Sequence, residues 1–434
     1  MKLKTLYVCQ NCSYQTTKWM GKCPECEGWN SFAEETVNVG KTDKISTVAR
    51  RLTTEKPVSI LNVSPSKARA KTGIEEFDSV AGGGIVDGSL ILLSGEPGIG
   101  KSTLTMQILD KMAAQKSSVL YVTGEESVEQ VSDRAKRLGC KHENIKLLYE
   151  TNLENILAAV ESEKPGFLVL DSIQVISSEE IPGMAGSISQ VRHVAESVMS
   201  VIKRKKISTL LIGHVNKEGN IAGPKVLEHL VDAVFLLEGE RDQTLRLLRS
   251  IKNRYGTVNE VGMFEMNEKG LTELRNPAEK IMENRPKNAF GSCLTVTIEG
   301  NRPILMEVQA LVNTSPFGYP KRAASGFDRN RLELLIAVLE KHSDLSLADK
   351  DVYINITGGL YLKDPAADLA VCMAISSSLK KKSLPDNLVL FGEVGLSGEI
   401  RKTIQEETRL KAIKKLNLMT MEKIRSVGEL IQKT

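Results

Sequence analysis

Nine residues limit this chain more than any others. Gly95, Glu96, Pro97, Gly98, Ile99, Gly100, Lys101, Ser102 and Thr103 fit the pattern GxxxxGK[ST], one residue after the apolar run at residues 90–93. The pattern requires a buried strand before it and a helix after it. Its glycines let the backbone curl until successive N–H groups point at one phosphate. The helix beginning near Thr103 offers its positive end to the same anion. Lys101 is placed to reach the β- and γ-phosphates, and the Ser102 hydroxyl to ligate Mg²⁺. The ligand class is therefore a nucleoside triphosphate, ATP, with Mg²⁺. A plain glycine turn before an ordinary helix seldom carries all of these features together.

The rest of the chain divides by composition. Its 434 residues suit two or three domains. No run approaches 18 apolar residues, so no membrane span is expected. The start, with Lys2 and Lys4, lacks the apolar stretch of a secretory signal. A net charge of +4 does not by itself call for nucleic acid, so such contact must come from local patches. Residues 1–35 hold four of the seven cysteines. Residues 36–70 are polar and basic and read as a linker. Residues 71–270 alternate helical patterns with short apolar runs at 90–93, 119–122, 167–170, 210–212 and 234–237. Such runs suit strands buried on both faces, hence an α/β core with a mainly parallel sheet. Residues 275–434 change to an α+β character, with β-rich stretches at 294–312 and 352–360, helices near 330–341 and 365–381, and a final helix.

Cys9, Cys12, Cys23 and Cys26 form two CxxC knuckles ten residues apart. Four thiolates so spaced suit tetrahedral Zn²⁺ with no open position, a structural site. A segment this short has too little core to fold alone, so metal binding would supply folding energy. Tyr14, Trp19, Trp29 and Phe32 flank the knuckles. Packing against the small metal core is the expected role, with base stacking as the alternative.

A P-loop site needs a further carboxylate for Mg²⁺. Asp171 ends the run at 167–170, at a strand's C-terminal edge, where α/β sheets bind ligands. Glu125 or Glu126, after the run at 119–122, is the candidate base for the attacking water, with Glu125 preferred. Loops at 172–193 and 213–225 would leave the same sheet edge. The second is glycine-rich and basic, and its Lys217 and Lys225 suit phosphate contacts. Lys203, Arg204, Lys205 and Lys206 read as the solvated end of a helix.

Lys252, Asn253, Arg254, Tyr255 and Gly256 resemble the KNRFG signature of the bacterial RadA (Sms) family of DNA repair proteins. The order of parts is similar too: four-cysteine zinc finger at 1–35, RecA-like ATPase at 71–270, then a Lon-protease-like domain at 275–434. The resemblance implies a cytoplasmic, nucleoid-associated, DNA-dependent ATPase acting in DNA damage, recombination and stress responses. It implies motion on single-stranded and branched DNA as a homo-hexamer, stimulating branch migration during strand transfer by the RecA recombinase. Lys252 and Arg254 would then act at a subunit boundary on a neighbour's γ-phosphate. The family's Phe is Tyr255 here.

The C-terminal resemblance to Lon raises a competing reading, an ATP-regulated protease or peptide-handling chaperone. Ala366 stands where the Lon nucleophile turn carries Ser, and a gap-free continuation puts Glu407 at the catalytic Lys, with Lys402 and Lys411 nearby. Alanine has no nucleophile, so peptide hydrolysis is not expected. A signalling ATPase of the circadian-clock type would share the core but not the flanking domains.

Overall fold

The structure is a computed structural model that describes residues 3–9, 15–24, 28–29, 31–38, 69–115, 118–214, 226–239, 244–274, 277–316, 318–358, 361–421 and 424–433. The chain forms two compact units: 1–238 with 248–258 and 266–272, and 239–247 with 259–265 and 273–434.

The first unit opens with a small antiparallel sheet of β1 (Leu3–Cys9), β2 (Gln15–Thr16) and β3 (Phe32–Asn38), in the order β2-β1-β3. β3 runs to Asn38, into the segment read as linker from residue 36. Residues 39–68 of that segment lie outside the described residues.

After α1 (Glu75–Val80), helices and strands alternate: β4 (Leu90–Gly95), α2 (Lys101–Ala114), β5 (Val119–Thr123), α3 (Val128–Arg137), β6 (Ile145–Tyr149), α4 (Leu153–Glu163), β7 (Phe167–Asp171), α5 (Ile188–Lys205), β8 (Ser208–Ile212), α6 (Val226–Leu230) and β9 (Ala233–Glu238). The strands β4 to β9 pair in parallel in the order β6-β5-β7-β8-β4-β9. β10 (Leu245–Asn253), β11 (Val261–Asn267) and β12 (Gly270–Glu273) continue the sheet beyond β9. β4, β5, β7 and β8 are buried along their whole length, as continuous apolar runs between two helical layers must be. Helix starts follow the chemistry of their caps. Ser127 closes a capping box with Gln130, while Asn152 and Ser187 accept the N–H groups of Asn155 and Gln190.

The second unit contains α7 (Pro277–Asn284), β13 (Ser292–Glu299), β14 (Arg302–Thr314), β15 (Arg322–Ser325), α8 (Arg329–His342), β16 (Lys350–Ile356), α9 (Asp368–Lys380), β17 (Glu393–Val394), β18 (Ile400–Arg401), α10 (Glu406–Lys415) and α11 (Val427–Lys433). Its main sheet has the order β13-β14-β16-β15, with β15 parallel to β16 and the other pairs antiparallel. α9 is apolar on nearly every side and is buried from Asp368 to Ser378. The single final helix expected from the sequence is two, α10 and α11, separated at residues 416–426.

Candidate nucleotide site

Several strands of the first unit end level with one another. Register pairs Asp171 with Thr123 on one side and Ile212 on the other, and pairs Ile212 with Leu93. The loops leaving β4, β5, β7 and β8 therefore share the sheet's C-terminal edge.

Gly95 ends β4, where an added Cβ would stand 2.5 Å from the Leu237 carbonyl oxygen. Gly100 caps α2 with a φ of 116°, a conformation that side chains disfavour. No side chain caps α2 and no acid sits in its first turn among the described residues, so its leading N–H groups remain for an anion. Glu96, Pro97 and Gly98 are exposed, Ile99 is buried, and Thr103 is half-buried. Lys101 is buried, and its Nζ donates to the carbonyls of Gly95 at 2.8 Å and Glu96 at 2.9 Å. Burial pulls its pKa down to about 8, against the opposing charges of Asp171, Glu125 and Glu96.

The hydroxyl and carboxylate expected on Mg²⁺ meet. Ser102 Oγ donates to Asp171 Oδ2 at 3.0 Å, and the Tyr121 hydroxyl donates to the same oxygen. Burial raises the Asp171 carboxyl above its usual range. The two adjacent glutamates separate by their partners. Glu126 Oε1 lies 2.6 Å from Arg134 Nη2 on α3. Glu125 Oε1 accepts from Ser172 Oγ and stands 3.3 Å from His214 Nε2. The donor set of curled glycines, open helix start, buried ammonium, hydroxyl and paired acids fits a Mg²⁺–triphosphate. Tyr121, Ser172 and His214 were not singled out from sequence. Ser172 and His214 follow apolar runs closely, whereas Tyr121 lies within one and carries no such mark.

Lys252 and Arg254 are not brought to this edge. Lys252 Nζ donates to the carbonyls of Glu228 and, at 2.9 Å, Val231. Arg254 Nη1 lies 3.4 Å from Asp232 Oδ1. Asp232 is buried, precedes β9, and takes the Leu90 N–H at 3.0 Å and Lys203 Nζ at 2.5 Å. Leu90 and Gly95 are the two ends of β4. At about 3.3 Å per residue the basic pair and the P-loop stand roughly 16 Å apart along that strand. Lys203, read as solvated, is instead anchored by a buried carboxylate.

The loop at 172–187 is tied down. Gln190 Nε2 donates to the carbonyls of Ser178 at 3.0 Å and Ile181 at 2.9 Å, and its Oε1 accepts the Ser178 N–H. Residues 215–225, with Lys217 and Lys225, lie outside the described residues.

At the N-terminus Cys9 and Cys23 are buried, while Cys12 and Cys26 lie outside the described residues. The tryptophans correct the packing expectation: Trp19 is 57% and Trp29 73% exposed. In the second unit Ala366 is buried. Its N–H meets Asp364 Oδ1 at 3.0 Å, and its carbonyl accepts the Gly392 N–H at 2.7 Å. Buried Arg409 pairs with Asp364 Oδ2 at 2.6 Å, whereas Lys402, Glu407 and Lys411 are exposed.

The chain is similar to known proteins over nearly its whole length. A KaiC-type ATPase family matches residues 70–161, and a rubredoxin metal-binding, zinc-ribbon family matches residues 7–34. The DNA repair protein RadA of Bacillus subtilis (strain 168) is 44% identical over 97% of this chain and 92% of its own length. The chain belongs to the RadA family of DNA repair proteins. The RadA proteins of Streptococcus pyogenes serotype M1 and Aquifex aeolicus (strain VF5) are 46% and 47% identical, covering 96% and 95% of this chain and 91% and 92% of their own lengths. Family membership gives the first unit's parallel sheet the standing of a RecA-like ATPase core behind a zinc ribbon. Among the described residues, no helix is long and apolar enough to cross a membrane.

Proposed function

We propose that the chain is a DNA-dependent ATPase that processes recombination intermediates. It moves on single-stranded and branched DNA as a hexameric ring and extends the heteroduplex made by the RecA recombinase, in the cytoplasm at the nucleoid. One observation carries the ring: Lys252 and Arg254 sit at the opposite end of β4 from the P-loop of their own subunit. Basic groups there complete a nucleotide site only if that site belongs to a neighbour.

Within the site Lys101 would hold the β- and γ-phosphates, and Ser102 and Asp171 would hold Mg²⁺, which neutralises developing phosphate charge. Glu125 would orient and deprotonate water. Its rival Glu126 is occupied by Arg134. Arg254, half-exposed, would reach across the boundary as an arginine finger. Cys9, Cys12, Cys23 and Cys26 would hold one structural Zn²⁺. The exposed rings of Trp19 and Trp29 suit base stacking. The protease reading has little support, because Ala366 offers no nucleophile.

ATP turnover with and without single-stranded DNA tests the proposal. Stimulation that weakens with salt is expected. No response to DNA at low salt would overturn it.

A further inference from the structure

The two acids of the nucleotide site are held by a crossed pair of hydroxyls. Tyr121 lies on β5 and donates to Asp171, which ends β7. Ser172 follows β7 and donates to Glu125, which follows β5. β5 and β7 are hydrogen-bonded neighbours, with Tyr121 in register with Val169 and Thr123 with Asp171. Each strand thus supplies the donor for the acid carried by the other.

The crossing answers a physical problem. Two carboxylates at one site repel. A donor on each acid favours its ionised form and fixes its direction. Tyr121 is fully buried, and its hydroxyl donates to Asp171 out of reach of solvent. Asp171 Oδ2 takes both Tyr121 and Ser102, and among the described residues Oδ1 has no hydrogen-bond donor. Of those two donors only Tyr121 is independent of the metal, because the Ser102 oxygen is itself a candidate ligand. Ser172 is also buried, and its hydroxyl is spent on Glu125 alone.

We propose that Tyr121 and Ser172 are positioning residues with separate duties: Tyr121 sets Asp171 for Mg²⁺, and Ser172 sets Glu125 for the attacking water. The proposal rests on the Mg²⁺–ATP reading of the site.

The test uses the full chain. Binding of mant-AMPPNP is titrated against Mg²⁺, and ATP turnover is measured in parallel. Tyr121→Phe keeps the ring that fills the core. It should raise the Mg²⁺ needed for half-maximal tight binding about tenfold, as loss of a partner behind a metal ligand does. Its nucleotide binding in EDTA should match wild type, and its turnover should recover at high Mg²⁺. Ser172→Ala should lower kcat about tenfold, the loss of a hydrogen bond to a charged group, with an unchanged Mg²⁺ requirement. In single turnover it should add nothing to Glu125→Gln. Thermal melts at the wild-type temperature exclude misfolding. Should Ser172→Ala melt early, Ser172→Cys, which keeps a weak donor, takes its place.

Wild-type binding indifferent to Mg²⁺ would refute the site reading itself. A Mg²⁺-dependent wild type whose two variants shift the same quantity, or neither, would overturn the positioning proposal alone.

Discussion

The separation of Lys252 and Arg254 from the P-loop makes a quantitative prediction about mixed assemblies. Lys101→Ala removes the phosphate-binding ammonium but leaves Arg254 intact. Arg254→Ala does the reverse. Each alone should lose most turnover, the second by about a thousandfold if Arg254 is a finger of ordinary strength. The two defects lie at opposite ends of β4, about 16 Å apart at the strand's usual rise, so they belong to different interfaces of one subunit. In a head-to-tail ring assembled at random from equal amounts, about one interface in four joins an intact P-loop to an intact Arg254. Mixed rings should therefore recover about a quarter of wild-type turnover. The two variants are co-expressed with different tags, purified over both, and assayed for ATP hydrolysis with single-stranded DNA. Mixed rings no more active than the parents would refute action across an interface, provided each parent is folded and assembles.

Three further outcomes are expected. Lys101 sits at a pKa of about 8 in the nucleotide-free protein, so its charge is lost as pH rises through 8. Affinity for mant-ATP should fall above pH 8, by up to about tenfold per unit, and Lys101→Arg, charged throughout, should flatten the curve; a flat wild-type profile from pH 7 to 9.5 would exclude this. Ala366→Ser should gain no casein-cleaving activity, because Asp364 beside it is bound to buried Arg409 and the nearby lysines are exposed; any ATP-dependent cleavage by that variant would revive the protease reading. Chelation of Zn²⁺ should make residues 1–35 protease-sensitive while the ATPase core keeps its melting temperature, and resistance of that segment after full metal loss would contradict a structural zinc site.

What the sequence could reveal follows from how local each signal is. β4, β5, β7, β8 and β9 are apolar on both faces, so five short runs mark them without any knowledge of partners. β6 escaped because it is an edge strand, half-buried, with exposed Lys146 as its second residue. Asp171 was legible because it terminates such a run. Glu125 is preferred over Glu126 from sequence, although adjacent acids share one local pattern; Arg134 on α3 and Ser172 after β7 give the two acids different partners. Tyr121 looked like any aromatic core residue, because its polar duty depends on a strand some fifty residues later. Asp232 and Lys203 show the same limit with opposite consequences. Lys203 reads as surface charge at a helix end and Asp232 belongs to no motif, yet that one carboxylate gathers Lys203, Arg254 and the first N–H of β4. Burial of that acid is affordable only because these partners converge on it, and convergence is a property of the sheet's strand order. The same order separates the basic pair from its own P-loop, and so turns a five-residue motif into an argument for a neighbouring subunit.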